Sequence, residues 1–387
     1  MSTDRTVLDV DYAVIGLGAM GASTLYFLAR SDAKVVGIDQ YSPPHTLGAS
    51  HGGYRVTREA VAEGPAYLHF VRRSNALLSD LERRHGVGLV GRTGTLIVGS
   101  DAAGRSSFLR DTVEIAKANG IEHQLLSSND LRQRYPQLVG LDKDEVGYFE
   151  PASGFIRPEP LLNLQIALAR EAGAEIFENT AVNRISPLDG GVEVEAGGIR
   201  IRARKVVVAA GRWLGSLLGG QSGDLLSVTR QRTFSFRASD EPAYRTGKFP
   251  TLMWFRKSVG GECATVFPLE AAEGALKFFV ADTEADGPDG LSGDDFYDRH
   301  VQPFFAGVSR QLHSSQPCFY TSTPDHGFIL DWHPQIPGLF LVSACSGHGF
   351  KHALGIGEAV AGLFADRPVI DLSAFNLARF AANKLPR

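Results

Sequence analysis

Only three cysteines occur in 387 residues, Cys263, Cys318 and Cys345, and they are widely spaced. An odd, scattered set fits neither a disulfide framework nor a zinc site, and nothing else in the sequence suggests a metal. Each thiol taken alone reads as a small buried apolar side chain. No run approaches the ~18 consecutive apolar residues of a membrane-crossing helix, so no membrane span is expected. Charge of one sign is not in excess: 39 basic side chains stand against 43 acidic ones, a formal net charge of −4. That balance leaves no basic footprint for nucleic acid. Blocks of like charge, internal repeats and low-complexity stretches are all missing. The N-terminus shows no basic segment with a separate apolar stretch and cleavage site; its first apolar run already belongs to a strand. A cytoplasmic protein is the expectation.

What is present is an ordinary globular balance, 43% hydrophobic and 21% charged residues, in a chain long enough for two or three domains. Residues 12–15 form a short apolar run of the kind found in central parallel strands. Gly16-Leu17-Gly18-Ala19-Met20-Gly21 follows, then a helical pattern over 22–30 and a second strand over 34–39 that ends at Asp39. Gly16 allows the tight turn, Gly18 lets the backbone approach a pyrophosphate, and Gly21 lets helix and strand pack closely. The helix N-terminus offers free N–H groups to phosphate. Asp39 stands 18 residues after Gly21, where an acid meets ribose hydroxyls. A nicotinamide and a flavin dinucleotide both remain open from these residues.

Further along, helices are expected over 69–84, 107–119, 130–134 with Ser128 as cap, 161–172 behind Pro158 or Pro160, and 351–365. Alternation over 192–195 and 199–202 around Gly197-Gly198 predicts a hairpin. Residues 205–211 and 339–343 read as separate buried strands. From 233 to 281 alternating strands dominate, an antiparallel sheet in a second domain.

Two further stretches carry chemistry. The loop 43–58 leaves a strand end and holds His45, Ser50, His51, Arg55 and Arg58. Paired arginines there could clamp a carboxylate or stabilise a reduced anionic flavin, against the plainer reading of a solvated loop. Ser346-Gly347-His348-Gly349-Phe350-Lys351 is a small-residue turn between strand and helix, suited to close approach of a cofactor ring.

Taken together, these stretches and the run from Cys318-Phe319-Tyr320-Thr321 through Thr323-Pro324-Asp325 to Asp331 and His333-Pro334 are distinctive. The chain resembles the monomeric sarcosine oxidase and N-methyltryptophan oxidase family of flavoproteins over nearly its whole length. The resemblance implies an α/β fold: an FAD-binding Rossmann-like domain of the glutathione-reductase type (1–85, 151–225 and 323–387) with an inserted substrate domain on a largely antiparallel sheet (86–150 and 226–322). It implies FAD, covalently held by Cys318, with Gly16, Gly18, Gly21, Asp39, Val182, Gly347, Gly349 and Phe350 as further cofactor residues. It assigns oxygen activation to Lys277, positions near the flavin ring to Arg55 and His51, and the substrate carboxylate to Arg58 and Lys351.

The implied activity is oxidation of a secondary amino acid at its C–N bond, with dioxygen reduced to hydrogen peroxide by a monomeric enzyme. Alternatives of the same fold are fructosyl amino acid, pipecolate or proline oxidation, or a dehydrogenase passing electrons to a quinone or a partner protein. A non-catalytic FAD-binding sensor is set against these by the presence of Arg58, Lys351 and Lys277. Some positions depart from the family. Its His-Gly-Asp-Thr-Arg reads His51-Gly52-Gly53-Tyr54-Arg55 here, and the pocket positions around Lys277 offer Thr265 and Ala281. A bulkier substrate than sarcosine is expected.

Overall fold

A computed structural model describes residues 7–100, 107–219, 223–256, 259, 262–270, 274–280 and 291–381. Its first sheet is the nucleotide-binding one. Val7–Ile15 lies at its centre, parallel to Val35–Ile38 on one side and to Ile199–Val208 on the other. Glu175–Phe177 extends it beyond Val35–Ile38, and Leu339–Ser343 pairs with the end of Ile199–Val208.

Ile199–Val208 is one strand where the sequence suggested two. Its first half alternates and pairs antiparallel with Gly191–Ala196, the expected hairpin. Its last three residues, Val206, Val207 and Val208, are fully buried between parallel neighbours. The change from alternating to continuous apolar pattern marks a change of neighbours, with no break in the chain.

Four helices, Ala19–Ala29, Leu68–His85, Pro158–Glu171 and Ala353–Phe364, pack beside this sheet. Ala353–Phe364 approaches its neighbours through two glycines. A Cβ on Gly355 would stand 2.6 Å from the carbonyl oxygen of Phe70, and one on Gly357 would stand 2.6 Å from Cβ of Ser23. The helix over 130–134 begins earlier than expected, at Ser128, and its cap is Ser127 in a capping box with Asp130. Ser128 instead donates to the carbonyl of Asp142 at 3.0 Å. The helix at 158 starts with Pro158 itself, where a missing N–H costs nothing.

The second sheet has eight strands, in the order Val308–Ser322, Ser227–Ala238, Ala275–Val280, Glu262–Phe267, Thr251–Arg256, Thr95–Ser100, Glu145–Glu150 and Gln124–Leu126. All neighbours are antiparallel except Thr251–Arg256 with Thr95–Ser100. Alternation decides what each face does. Leu252, Trp254, Val266, Leu276 and Phe278 point backward and pack with Phe296, Phe304 and Phe305 in one core. Met253, Phe255, Cys263, Thr265, Lys277 and Phe279 point forward, in cross-strand rows such as Met253–Thr265–Phe279 and Phe267–Lys277. A small third sheet joins Arg55–Thr57, Gly154–Ile156 and Val90–Gly91, so the loop 43–58 ends in a strand that fixes the direction of Arg55.

Candidate active site

An elongated cavity of about 400 Å³ runs along the carboxyl ends of the parallel strands. Gly16, Gly18, Asp39, Arg55, Val182, Cys318, Gly347, Gly349 and Phe350 all line it. Gly21 does not; it packs behind the turn, where a Cβ would fall 1.7 Å from the carbonyl oxygen of Gly16. Gly16 has φ of 84° and lies against Ala209, which only glycine tolerates there. At the other end of the cavity Gly347 has φ of 79° and touches the Tyr320 ring.

Asp39 is buried, and its carboxylate braces the glycine turn. Oδ2 accepts from the Leu17 amide at 2.7 Å and Oδ1 from the Tyr41 amide at 2.9 Å. Cys318 is buried on Val308–Ser322 with a guanidinium nitrogen of Arg55 at 3.9 Å from its sulfur. Arg55 is held there by the carbonyls of Tyr54 and Ala49 at 2.8 and 2.7 Å. His51 is buried, and neither ring nitrogen has a hydrogen-bond partner among the described residues. Burial, then the charge of Arg55, pushes its pKa down to about 4, against the opposing pull of Glu159. The imidazole is neutral near pH 7.

Lys277 reaches from the forward face of the second sheet into the 43–58 loop. Its ammonium donates to the Gly52 carbonyl and lies 5.6 Å from the centre of the Phe267 ring. The same peptide is fixed from the other side: Glu159 accepts from the Gly52 amide at 2.5 Å and from the Gly53 amide at 3.3 Å.

Arg58 and Lys351, more than 290 residues apart in the chain, converge on one carboxylate, that of Glu63. Arg58 Nη2 donates to its two oxygens at 3.1 and 3.0 Å, and Lys351 Nζ to Oε1 at 3.2 Å. Arg58 also bonds the Ala60 carbonyl and lies 4.8 Å over the Phe108 ring. Phe108 packs in turn on Phe255, with ring centres 4.8 Å apart. Burial would raise the Glu63 carboxyl, but Arg58, Lys351 and His348 hold it well below the usual range. Burial lowers Lys351 to about 8, with Glu63 opposing the shift.

Sequence reasoning missed Glu63, Glu159 and the buried Glu150, which accepts from the amides of Glu59 and Ala60 at 2.6 and 3.1 Å and so aims the Arg58 segment. An acid in the first turn of a helix, as Glu159 is, was the one available hint. Of the pocket positions, Thr265 lies on the forward face, and Ala281 lies outside the described residues.

Three buried histidines, His51, His300 and His352, and the half-buried His348 share one consequence. Burial is the leading cause that lowers His51 and His348 to about 4, His300 to about 3 and His352 well below 6.5. Unfolded, each returns to about 6.5. Between about pH 6.5 and 4 the unfolded chain therefore binds more protons than the folded one, and stability falls as the pH is lowered. The urea midpoint should drop steadily over that window. A flat profile would show these imidazoles to be hydrated or charged in the fold.

A strand–glycine turn–helix cleft with an acid at the second strand is the architecture of a dinucleotide-dependent oxidoreductase. Residues 11–363 match the family model DAO, FAD dependent oxidoreductase, and the chain belongs to that family. It is 33% identical over 385 residues to N-methyl-L-tryptophan oxidase of Yersinia pestis (strain Pestoides F), covering 96% of this chain and 100% of that protein. The Yersinia pseudotuberculosis (serotype O:1b) protein of the same name matches equally. Among solved structures, the open form of NikD, an amino acid oxidase of nikkomycin biosynthesis, superposes with a TM-score of 0.79 at 20% identity, over 95% of this chain and 97% of that one. L-proline dehydrogenase from P. horikoshii gives 0.78 at 18%, over 98% and 100%. These structures share the fold, an FAD-binding α/β domain with a second sheet. Among the described residues no helix is long and apolar enough to cross a membrane.

Proposed function

We propose that this chain oxidises an N-methylated or other secondary amino acid with a bulky apolar side chain, using dioxygen as acceptor. The observation that carries this is the convergence of Arg58 and Lys351 on a single carboxylate position. Two cations at 3.0 to 3.2 Å form a ready site for the carboxylate of an amino acid, which would take the place of Glu63. Phe108 and Phe255 stand beside it and suit a large apolar side chain. The name of the Yersinia relatives points the same way.

FAD fits the residues present: a glycine turn, a buried acid at one end of the cavity, and a thiol with an adjacent guanidinium at the other. When bound it accepts the two electrons and hydrogen lost from the CH–NH bond and passes them to dioxygen, giving hydrogen peroxide and an imine that water hydrolyses. Arg58 and Lys351 orient the substrate. Lys277, fixed by the Gly52 carbonyl, places a positive charge where dioxygen would be reduced. Neutral His51 and cationic Arg55 adjoin the ring end of the cavity. Gly16, Gly18, Gly21 and Asp39 serve the diphosphate and ribose, Val182 the adenine side, and Gly347, Gly349 and Phe350 the ring. The enzyme would work in the cytoplasm, and as a monomer, as the resemblance implies.

The test is peroxide release against a panel of N-methyltryptophan, sarcosine, pipecolate, proline and a fructosyl amino acid. N-methyltryptophan should be the best of the panel. Peroxide from none of them, with turnover restored by an artificial acceptor, would replace the oxidase by a dehydrogenase.

Cys318 would carry the cofactor covalently. Its thiol, beside the Arg55 guanidinium, would be the group that holds the flavin through a thioether, with dioxygen as the two-electron oxidant that such a linkage requires. Yellow colour should stay with acid-precipitated protein and pass to the supernatant in Cys318→Ser. Free flavin from the unsubstituted protein would reject the linkage.

A further inference from the structure

Arg212 is a cation on the cofactor cavity that no role above uses. It sits in the short turn Gly211–Trp213, which follows directly on the segment Ala209-Ala210 that Gly16 packs against. Its guanidinium carbon lies 4.3 Å from the ring centre of Trp213 and 4.3 Å from that of Phe319. The group is half-buried and lines the cavity. It makes no hydrogen bond or ion pair among the described residues, and its buried Nε has no partner. A guanidinium held by two rings but left without an acceptor carries a desolvation cost that an anion would offset.

The position along the cavity says which anion. On one side Trp213 adjoins Tyr41 and His45, with ring centres at 5.7 and 6.2 Å, and His45 approaches Asp39 at 3.6 Å. That is the ribose end. On the other side Phe319 is the neighbour of Cys318, at the flavin end. The middle of an extended dinucleotide is its pyrophosphate. The glycine turn also has fewer donors to give than its sequence suggests. The Leu17 amide is taken by Asp39 at 2.7 Å and the Ala19 amide by Ser50 Oγ at 2.9 Å. Of the side chains lining the cavity only Arg55 is another guanidinium, and it is committed to the Cys318 end.

We infer that Arg212 binds the pyrophosphate of FAD, supplying charge and donors that the glycine turn has spent on Asp39 and Ser50. This rests on FAD as the cofactor. The test uses the full-length chain in a Cys318→Ser background, stripped of flavin, with FAD, ADP, adenosine and riboflavin as probes by calorimetry. Arg212→Met keeps the stem between the two rings and removes the charge. It should weaken FAD and ADP alike by roughly 10- to 100-fold, the range for hydrogen bonds to charged groups. Adenosine and riboflavin should change less than about two-fold. Arg212→Lys should recover part of the loss, as a point charge without the planar fork. Unchanged ADP affinity, equal loss for ADP and adenosine, or a loss confined to riboflavin would each overturn the assignment. The parent's own affinity for FAD tests the cofactor reading beneath; the ratio of variant to parent tests Arg212.

Discussion

Lys277→Met should slow reoxidation of the reduced enzyme by dioxygen by about 100- to 1,000-fold, the cost of removing one preorganised stabiliser of developing negative charge. Reduction by substrate should change only a few-fold. The asymmetry follows from where Lys277 sits. It is buried on the forward face of the second sheet, and its ammonium is fixed to the Gly52 carbonyl in the loop that carries His51 and Arg55. Glu159 holds that loop through the Gly52 and Gly53 amides, and so helps to keep the cation in place. A fixed charge in a site of low polarity acts strongly on a dioxygen that must gain electrons, and hardly at all on a substrate that must lose them. Stopped-flow traces of the two half-reactions separate the cases. Equal slowing of both would mean that Lys277 only supports the fold.

Arg58→Met should lower kcat/KM for an amino acid substrate by about 2–5 kcal/mol, the range for truncating one partner of a buried charge pair, with most of the loss in KM. Arg58 is 2% exposed and supplies contacts to both carboxylate oxygens, whereas Lys351 reaches one. Glu63→Gln should act in the opposite direction. It removes the internal carboxylate that holds the same two cations, so substrate affinity should rise while stability falls, because Arg58 and Lys351 then lose their counter-ion when no substrate is bound. Binding titrations on both variants check this. Weaker substrate binding in Glu63→Gln would show that Glu63 supports the substrate and does not compete with it.

The glycine turn and its acid were legible because local geometry constrains them. A glycine turn must lie between a buried strand and a helix, and Gly16, Gly18 and Asp39 are found along the cavity they suggested. Arg58 and Lys351 stood in the two loops that the sequence singled out, whereas Lys277 and Cys318 could be named only through resemblance, since neither lies in a pattern that alternation or spacing distinguishes from a solvated or core position. The carboxylates that organise the site were illegible for a stronger reason. Glu63, Glu150 and Glu159 act by reaching backbone amides or cations brought near by folding, and Glu150 meets the amide of Glu59 from 91 residues away. Arg212 belongs with them, because its meaning comes from two rings on separate elements. In the fold, the merged strand Ile199–Val208 was hidden by a change of pattern that reflects its neighbours, and the cap at Ser127 by two adjacent serines that differ only in backbone conformation.

The central claim is that this enzyme recognises an amino acid by its carboxylate and oxidises its C–N bond. The most direct measurement is anaerobic mixing of the yellow protein with N-methyltryptophan and, separately, with N-methyltryptamine, which keeps the amine and the ring and lacks the carboxylate. Rapid bleaching by the first and slow or no bleaching by the second is the expected result. Equal bleaching by both, or by neither, would contradict it.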